Sequence, residues 1–147
     1  MIQISTDPMY IPLVCRELAL LPTPYMQCIV CGDERGLIAG AIFDDYNTVS
    51  VQSHVWVAEG RVPSRGWYAA ICDYPFNRLG VKKVMGKVVS ENKNAMRLDE
   101  HLGFVLEATI TDYSPFGDLK IYSITREQCK ILNSPLWKKH VELAAAC

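Results

Sequence analysis

Between Asn77 and Phe104 the chain reads Asn-Arg-Leu-Gly-Val-Lys-Lys-Val-Met-Gly-Lys-Val-Val-Ser-Glu-Asn-Lys-Asn-Ala-Met-Arg-Leu-Asp-Glu-His-Leu-Gly-Phe, and this order of residue types leaves few folds open. Gly80 suits the position that ends a helix, where the backbone turns left-handed. Val81 to Val89 is rich in β-branched residues and predicts a strand. Ser90, Glu91 and Asn92 then offer side chains able to cap a helix. Ala95, Leu98 and Leu102 recur at helical spacing, and Gly103-Phe104 closes the run. The pattern is helix, strand, helix, with polar groups at the carboxyl end of the strand. In open α/β sheets that end is where ligands bind.

The rest of the chain supplies more sheet. Ile2 to Ser5 alternates apolar and polar residues, and Ile11, Val14, Leu18 and Leu20 predict a helix that Pro22 and Pro24 terminate. Gln27 to Asp33, Leu37 to Asp44 and Ser50 to Ala58 read as three successive strands, separated by Glu-Arg-Gly and Asp-Tyr-Asn-Thr turn chemistry. In the third, Val51, Ser53, Val55 and Val57 share one face while Gln52, His54, Trp56 and Ala58 share the other. A loop, Gly60 to Gly66, leads to a helix over Trp67 to Arg78. Val105 to Thr111 and Lys120 to Thr125 predict a second hairpin around Tyr113 to Asp118. Arg126 to Leu132 and Leu136 to Ala146 read as helical.

At 147 residues the chain has the size of one domain and contains no composition break, so residues 1–147 are read as a single unit. Half the residues are hydrophobic and the formal net charge is −1, which argues against disorder and against a globally basic nucleic-acid binder. No apolar run approaches the ~20 residues that span a bilayer. The first residues lack the basic start and apolar core of a signal peptide, so the expected location is cytoplasmic and no membrane partner is expected.

Six cysteines at 15, 28, 31, 72, 129 and 147 are scattered without a framework and are read as reduced thiols. Cys28-Ile-Val-Cys31 matches Cys-x-x-Cys, but no second pair accompanies it, so two strand cysteines are preferred over a zinc site and no metal is assigned. Arg78, Lys82, Lys83 and Lys87 form a basic cluster, read as a solvated face in preference to a nucleic-acid footprint.

From Trp56 to Leu132 the order of elements resembles the GNAT N-acetyltransferase superfamily. The strongest match is Asn92-x-x-Ala95-x-x-Leu98-x-Glu100-x-Leu102-Gly103-Phe104. The hairpin from Glu107 to Ile124, followed by Arg126-Glu-Gln-Cys129, is similar to the branch that acetylates ribosomal-protein termini and small amines. The resemblance implies a mixed α/β sheet of six to seven mostly antiparallel strands, splayed between the fourth and fifth and flanked by helices. It also implies acetyl-CoA as donor and a small-molecule or protein amine as acceptor. Alternatives on the same fold are a non-catalytic coenzyme A-binding protein and a nucleic-acid- or tRNA-directed acyltransferase. Exposed sheet edges leave a homodimer open.

The same resemblance carries over site residues. Arg61-Val-Pro-Ser64-Arg65-Gly66 matches the family's phosphate loop if Ser64 replaces a glycine. Successive N–H groups at a helix N-terminus hold a pyrophosphate there, with the arginines adding charge. Val55, Trp56 and Val57 fall on the strand that cradles the donor, and Asn92 on its pantetheine contact. An amine nucleophile must lose a proton, and His54 on the fourth strand has a suitable residue type to take it. Tyr122, Glu107 and Asp112 are further candidates to face the acceptor, the carboxylates being read in preference as a solvated edge. Where many members carry a tyrosine that protonates the departing thiolate, this chain has Asp99, expected to be ionised at neutral pH. Tyr122 or Tyr113 is then the remaining donor, unless the thiolate leaves unaided.

Overall fold

The turn residues between Gln27 and Ala58 fold the predicted strands into an antiparallel meander. It comprises β2 (Gln27–Asp33), β3 (Gly36–Asp44) and β4 (Ser50–Val57). In the computed structural model, which describes residues 2–146, β1 (Gln3–Ser5) adds to the edge of β2. Cys147 lies outside the described residues. Beyond β4 come β5 (Lys83–Val89), β6 (Val105–Ser114) and β7 (Gly117–Thr125), giving a seven-stranded sheet in the order β1-β2-β3-β4-β5-β7-β6. All neighbours are antiparallel except β4 and β5.

Alternating side chains divide the core into two layers. On one face α1 (Ile11–Leu18) packs Ile11, Val14 and Cys15 against Met26, Cys28, Val30 and Ile42. On the other, α2 (Arg65–Asp73) and α3 (Lys93–Leu102) contribute Trp67, Ile71 and Leu102 to a cluster with Ile29, Phe43, Val51, Val84 and Ile124. Fully buried Trp67 also donates its indole N–H to the Ile29 carbonyl at 2.9 Å, which fixes α2 on β2. Burial of an apolar side chain of this class stabilises by roughly 1.5–3 kcal/mol. Cys28 and Cys31 sit in different layers, so the Cys-x-x-Cys pair cannot share an ion.

The feature that positions the site is the β4–β5 junction. These strands pair only at Ser50↔Lys83, Val51↔Val84 and Gln52↔Met85, then part. Each strand is satisfied on its other edge: β4 by β3, and β5 by β7 from Lys83↔Thr125 to Val89↔Leu119. The Ala58 N–H donates to the Ile38 carbonyl, which sets the hydrogen-bond phase of the β3–β4 pair. Even-numbered residues of β4 bond to β3, and Ser53, Val55 and Val57 turn their backbone groups toward the opening.

Three expectations are corrected. Arg126 to Leu132 is a series of turns, not a helix. The Asn133 amide donates to the Arg126, Glu127 and Cys129 carbonyls, and Lys130 N–H bonds the Leu102 carbonyl, so docking on the end of α3 replaces intrahelical bonding. The docking requires Gly103, whose φ is +113° and where a Cβ would stand 2.1 Å from the Gln128 carbonyl oxygen. The 113–118 loop is a tight turn, since β6 runs to Ser114 and β7 begins at Gly117. The helix read to Arg78 widens at Tyr74–Arg78, where Leu79 N–H reaches the Tyr74 carbonyl while the Pro75 carbonyl accepts from Val81 N–H. A final helix, α4 (Lys138–Ala145), packs on α2.

Candidate active site

The parting of β4 from β5 opens a cleft of about 650 Å³. Residues 53–57 of β4 form one wall, 86–89 of β5 the other, and Asn92, Leu98 and Asp99 of α3 with Tyr68 of α2 close it. A cleft of this size accommodates a linear arm, and the backbone groups of Val55 and Val57, which have no β5 partner among the described residues, offer it a strand edge. Trp56 and His54 also border the space.

His54 is held by a partner the sequence did not announce. Its Nε2 lies 3.0 Å from Asp44 Oδ1 and 3.1 Å from the Gln52 amide nitrogen, and both side chains of the His54–Asp44 pair are mostly buried. A carboxylate only accepts, so Asp44 selects the tautomer protonated on Nε2, and the Gln52 NH2, itself a donor, then makes no hydrogen bond to that nitrogen. Nδ1 then carries the lone pair and has no protein partner among the described residues. Asp44 closes β3 across from Gln52, two positions from His54, and that diagonal was the available signal.

On α3, Asp99 contradicts its expected state. Burial, with the neighbouring Glu100 charge in second place, pushes its carboxyl up to about 7. No hydrogen bond or ion pair is made by this carboxyl among the described residues, whereas Glu100 accepts from the Tyr122 hydroxyl at 3.3 Å. Asp99 is therefore a group that holds a proton for a large fraction of the time near neutral pH.

Asn92 caps α3, its Oδ1 accepting from Ala95 N–H at 3.2 Å, while its Nδ2 remains available beside the cleft. The phosphate-loop residues are more committed. Ser64 caps α2 through its hydroxyl, accepting from Trp67 N–H at 3.2 Å. Arg61 pairs with Asp33 at 2.5 Å, which holds that carboxyl below its usual range, and Arg65 lies 5.7 Å over the Trp137 ring. What remains is backbone: the N–H groups of Arg65 and Gly66 at the start of α2 have no partner among the described residues. A Cβ on Gly66 would stand 3.3 Å from Ile4 Cδ1, so this glycine admits β1 to the helix.

None of Arg61, Ser64, Arg65 and Gly66 lines the cleft, Gly66 bordering a separate cavity, and the structure does not bring the remaining candidates to it either. Tyr122 is buried on β7, bonded outward to Glu100, and its phenol is raised mainly by burial. Glu107 pairs with Lys83 at 3.0 Å, and Asp112 and Tyr113 lie exposed on β6. The basic cluster is dispersed: Lys83 meets Glu107, Arg78 meets Asp73 and α4 carbonyls, and Lys87 borders the cleft.

No family model and no curated protein matches the chain. Solved structures do. A mutant form of the spermidine/spermine N-acetyltransferase SpeG from Vibrio cholerae aligns at TM-score 0.72 and 18% identity, over 92% of this chain and 99% of that one. The same enzyme in complex with manganese ions aligns at 0.68 and 18%, over 91% and 96%. A form carrying a substituted segment, a chimera with hSSAT, gives 0.68 and 18% over 86% and 96%. At these identities the likeness establishes the architecture, including the splayed sheet.

Proposed function

This chain has the fold of the GNAT N-acetyltransferases, and from that premise we propose that it transfers an acetyl group from acetyl-CoA to a primary amine. The observation that carries the reading is the cleft at the β4–β5 parting, which is bordered by an oriented imidazole from β4 and a buried carboxyl from α3. Unpaired strand groups and a capped helix N-terminus fit an elongated, phosphate-bearing donor. The thioester supplies an electrophilic carbonyl when bound. Backbone N–H groups of Val55 and Val57 are the donors available for its oxygen. The Arg65 and Gly66 N–H groups hold phosphate, and Asn92 Nδ2 anchors the arm.

A primary amine of lysine type has a pKa of about 10.4 and must be neutral to attack. His54, proton on Nε2 and lone pair on Nδ1, receives the proton that the nitrogen loses. As the N–C bond replaces the C–S bond, the sulfur takes the electron pair, and protonated Asp99 supplies its proton. Both groups return to their starting states by exchange with solvent. The attack is direct, with no acyl-enzyme and no metal. The cytoplasm, where acetyl-CoA and amines coexist, is the proposed setting. Among the described residues, no helix is long and apolar enough to cross a membrane.

Thermal unfolding with acetyl-CoA, combined with a thiol-release assay over an amine panel, tests this. A donor at 100 times its Kd raises stability by about 2.7 kcal/mol. Thiol release requiring both donor and amine is the expected result. Absence of any thermal shift at millimolar donor sinks the proposal. The engaged state of Arg61 and Arg65 favours one rival, a coenzyme A-binding protein without turnover, and binding with no thiol release from any amine would establish it.

A further inference from the structure

Where the last β4–β5 pair, Gln52↔Met85, gives way to Ser53 and Gly86, a second cavity of about 30 Å³ lies against the α2–α3 face of the sheet. Ser53, Val55 and Asp99 border both this space and the cleft, so the two adjoin at the vertex with those side chains between them. The deeper walls are apolar, formed by Phe43, Ile71, Phe76, Val84, Leu102 and Ile124. Its polar groups are the Ser53 hydroxyl and Asp99 carboxyl on the cleft side and the Cys72 and Cys129 thiols within.

Protein interiors rarely leave a void larger than a water molecule, so a void that adjoins a ligand cleft calls for an occupant. Room for one water is roughly 10–15 Å³, and a water needs two to four polar partners. This space has volume for little more than one or two small groups, and its walls are predominantly apolar, the thiols being weak hydrogen-bonding groups. An alkyl carbon suits it better than water. The walls cannot swing aside to admit more, because Phe43 is 2% exposed and its ring centroid lies 5.0 Å from that of Tyr74.

We propose that this cavity is an acyl-chain subsite, which receives the terminal carbon of a donor one methylene longer than acetyl. The inference rests on the acyltransferase reading above and adds donor specificity to it. Propionyl-CoA is then a substrate comparable to acetyl-CoA, and straight chains from hexanoyl upward are rejected. The bond changes are those of acetyl transfer, since only the group attached to the carbonyl differs.

The test is thiol release by the full chain with acetyl-, propionyl-, butyryl- and hexanoyl-CoA, using one amine that acetyl-CoA serves, with calorimetric Kd values for each donor. Propionyl-CoA is expected within ~10-fold of acetyl-CoA in kcat/KM, below the roughly 10–200-fold by which a pocket without room discriminates against one methylene. Ile71→Ala enlarges the cavity and should raise the butyryl-to-acetyl ratio ~10-fold or more. Val84→Ile fills it and should lower the propionyl-to-acetyl ratio similarly, with acetyl transfer unchanged. Wild-type turnover of acetyl-CoA with propionyl-CoA disfavoured by more than ~10-fold, the range of ordinary exclusion of a methylene, overturns the subsite alone. Unaltered ratios in both variants do the same. If no acyl-CoA of any length binds or releases thiol, the acyltransferase reading falls as well. The wild-type donor series decides the matter even if a variant fails to fold.

Discussion

Two elements bordering the cleft present ionisable groups in opposite ways. On β4, His54 is oriented by Asp44, so its behaviour is set by a hydrogen bond. On α3, Asp99 has no such partner and is governed by removal from water. Partnering fixes where a proton sits, whereas desolvation fixes whether a charge is tolerated. A site that needs one group to take a proton and another to give one can be built from these two devices without any metal.

The largest expected effect comes from breaking the β4 side. His54→Ala should lower kcat by ~10²–10⁴-fold, the usual range for a general base, with acetyl-CoA affinity unchanged. Steady-state kinetics beside calorimetry checks this, and equal kcat in variant and parent removes the base assignment.

Next is Asp99→Asn, which keeps shape and loses the transferable proton. A loss of ~10²-fold in kcat is expected, at the lower end because thiolate is a tolerable leaving group. The pH profile is the sharper measurement. The active form is protonated, so the parent should lose activity as pH rises through about 7, and the variant should lack that limb. A limb that persists in Asp99→Asn would assign it to another group.

The same substitution should improve folding. Asp99 has a folded pKa raised from 3.8 to about 7, so its favourable contribution is full below pH 3.8 and is lost as pH rises toward 7. At about 1.4 kcal/mol per unit, the parent loses roughly 2–3 kcal/mol between pH 5 and pH 8 from this group. Asp99→Asn should therefore gain stability relative to the parent at pH 8 and little at pH 5, as read from denaturant midpoints. Equal differences at the two pH values would mean that the carboxyl ionises normally.

These contrasts mark how far the sequence could be read. Strand alternation gave β2 its bounds, Gln27–Asp33, and Asn92, Ala95 and Gly103 marked α3 with its cap and stop, because local patterns and special backbone positions are written locally. The β4–β5 parting came through the resemblance, and the structure has it after Gln52. Long-range facts were hidden. Asp99 looked like any helix carboxylate, since its desolvation comes from residues on other elements. Arg61 and Arg65 looked like phosphate ligands, but Asp33 and Trp137, distant in sequence, engage them. Arg126 to Leu132 had helical composition, yet contacts with Leu102 and Gly103 outcompeted it.

The smallest effect tests whether His54 acts through its partner. Asp44→Asn keeps a hydrogen-bonding side chain at 3.0 Å but no longer dictates the tautomer, since an amide both donates and accepts. A fall in kcat of ~10-fold is expected, with KM for the donor unchanged, because part of the population then carries its proton on Nδ1 and cannot take another there. The combined variant, Asp44→Asn with His54→Ala, should be no slower than His54→Ala alone. That non-additivity is what separates a positioning carboxylate from one with an independent role at the acceptor amine, for which the two losses would multiply.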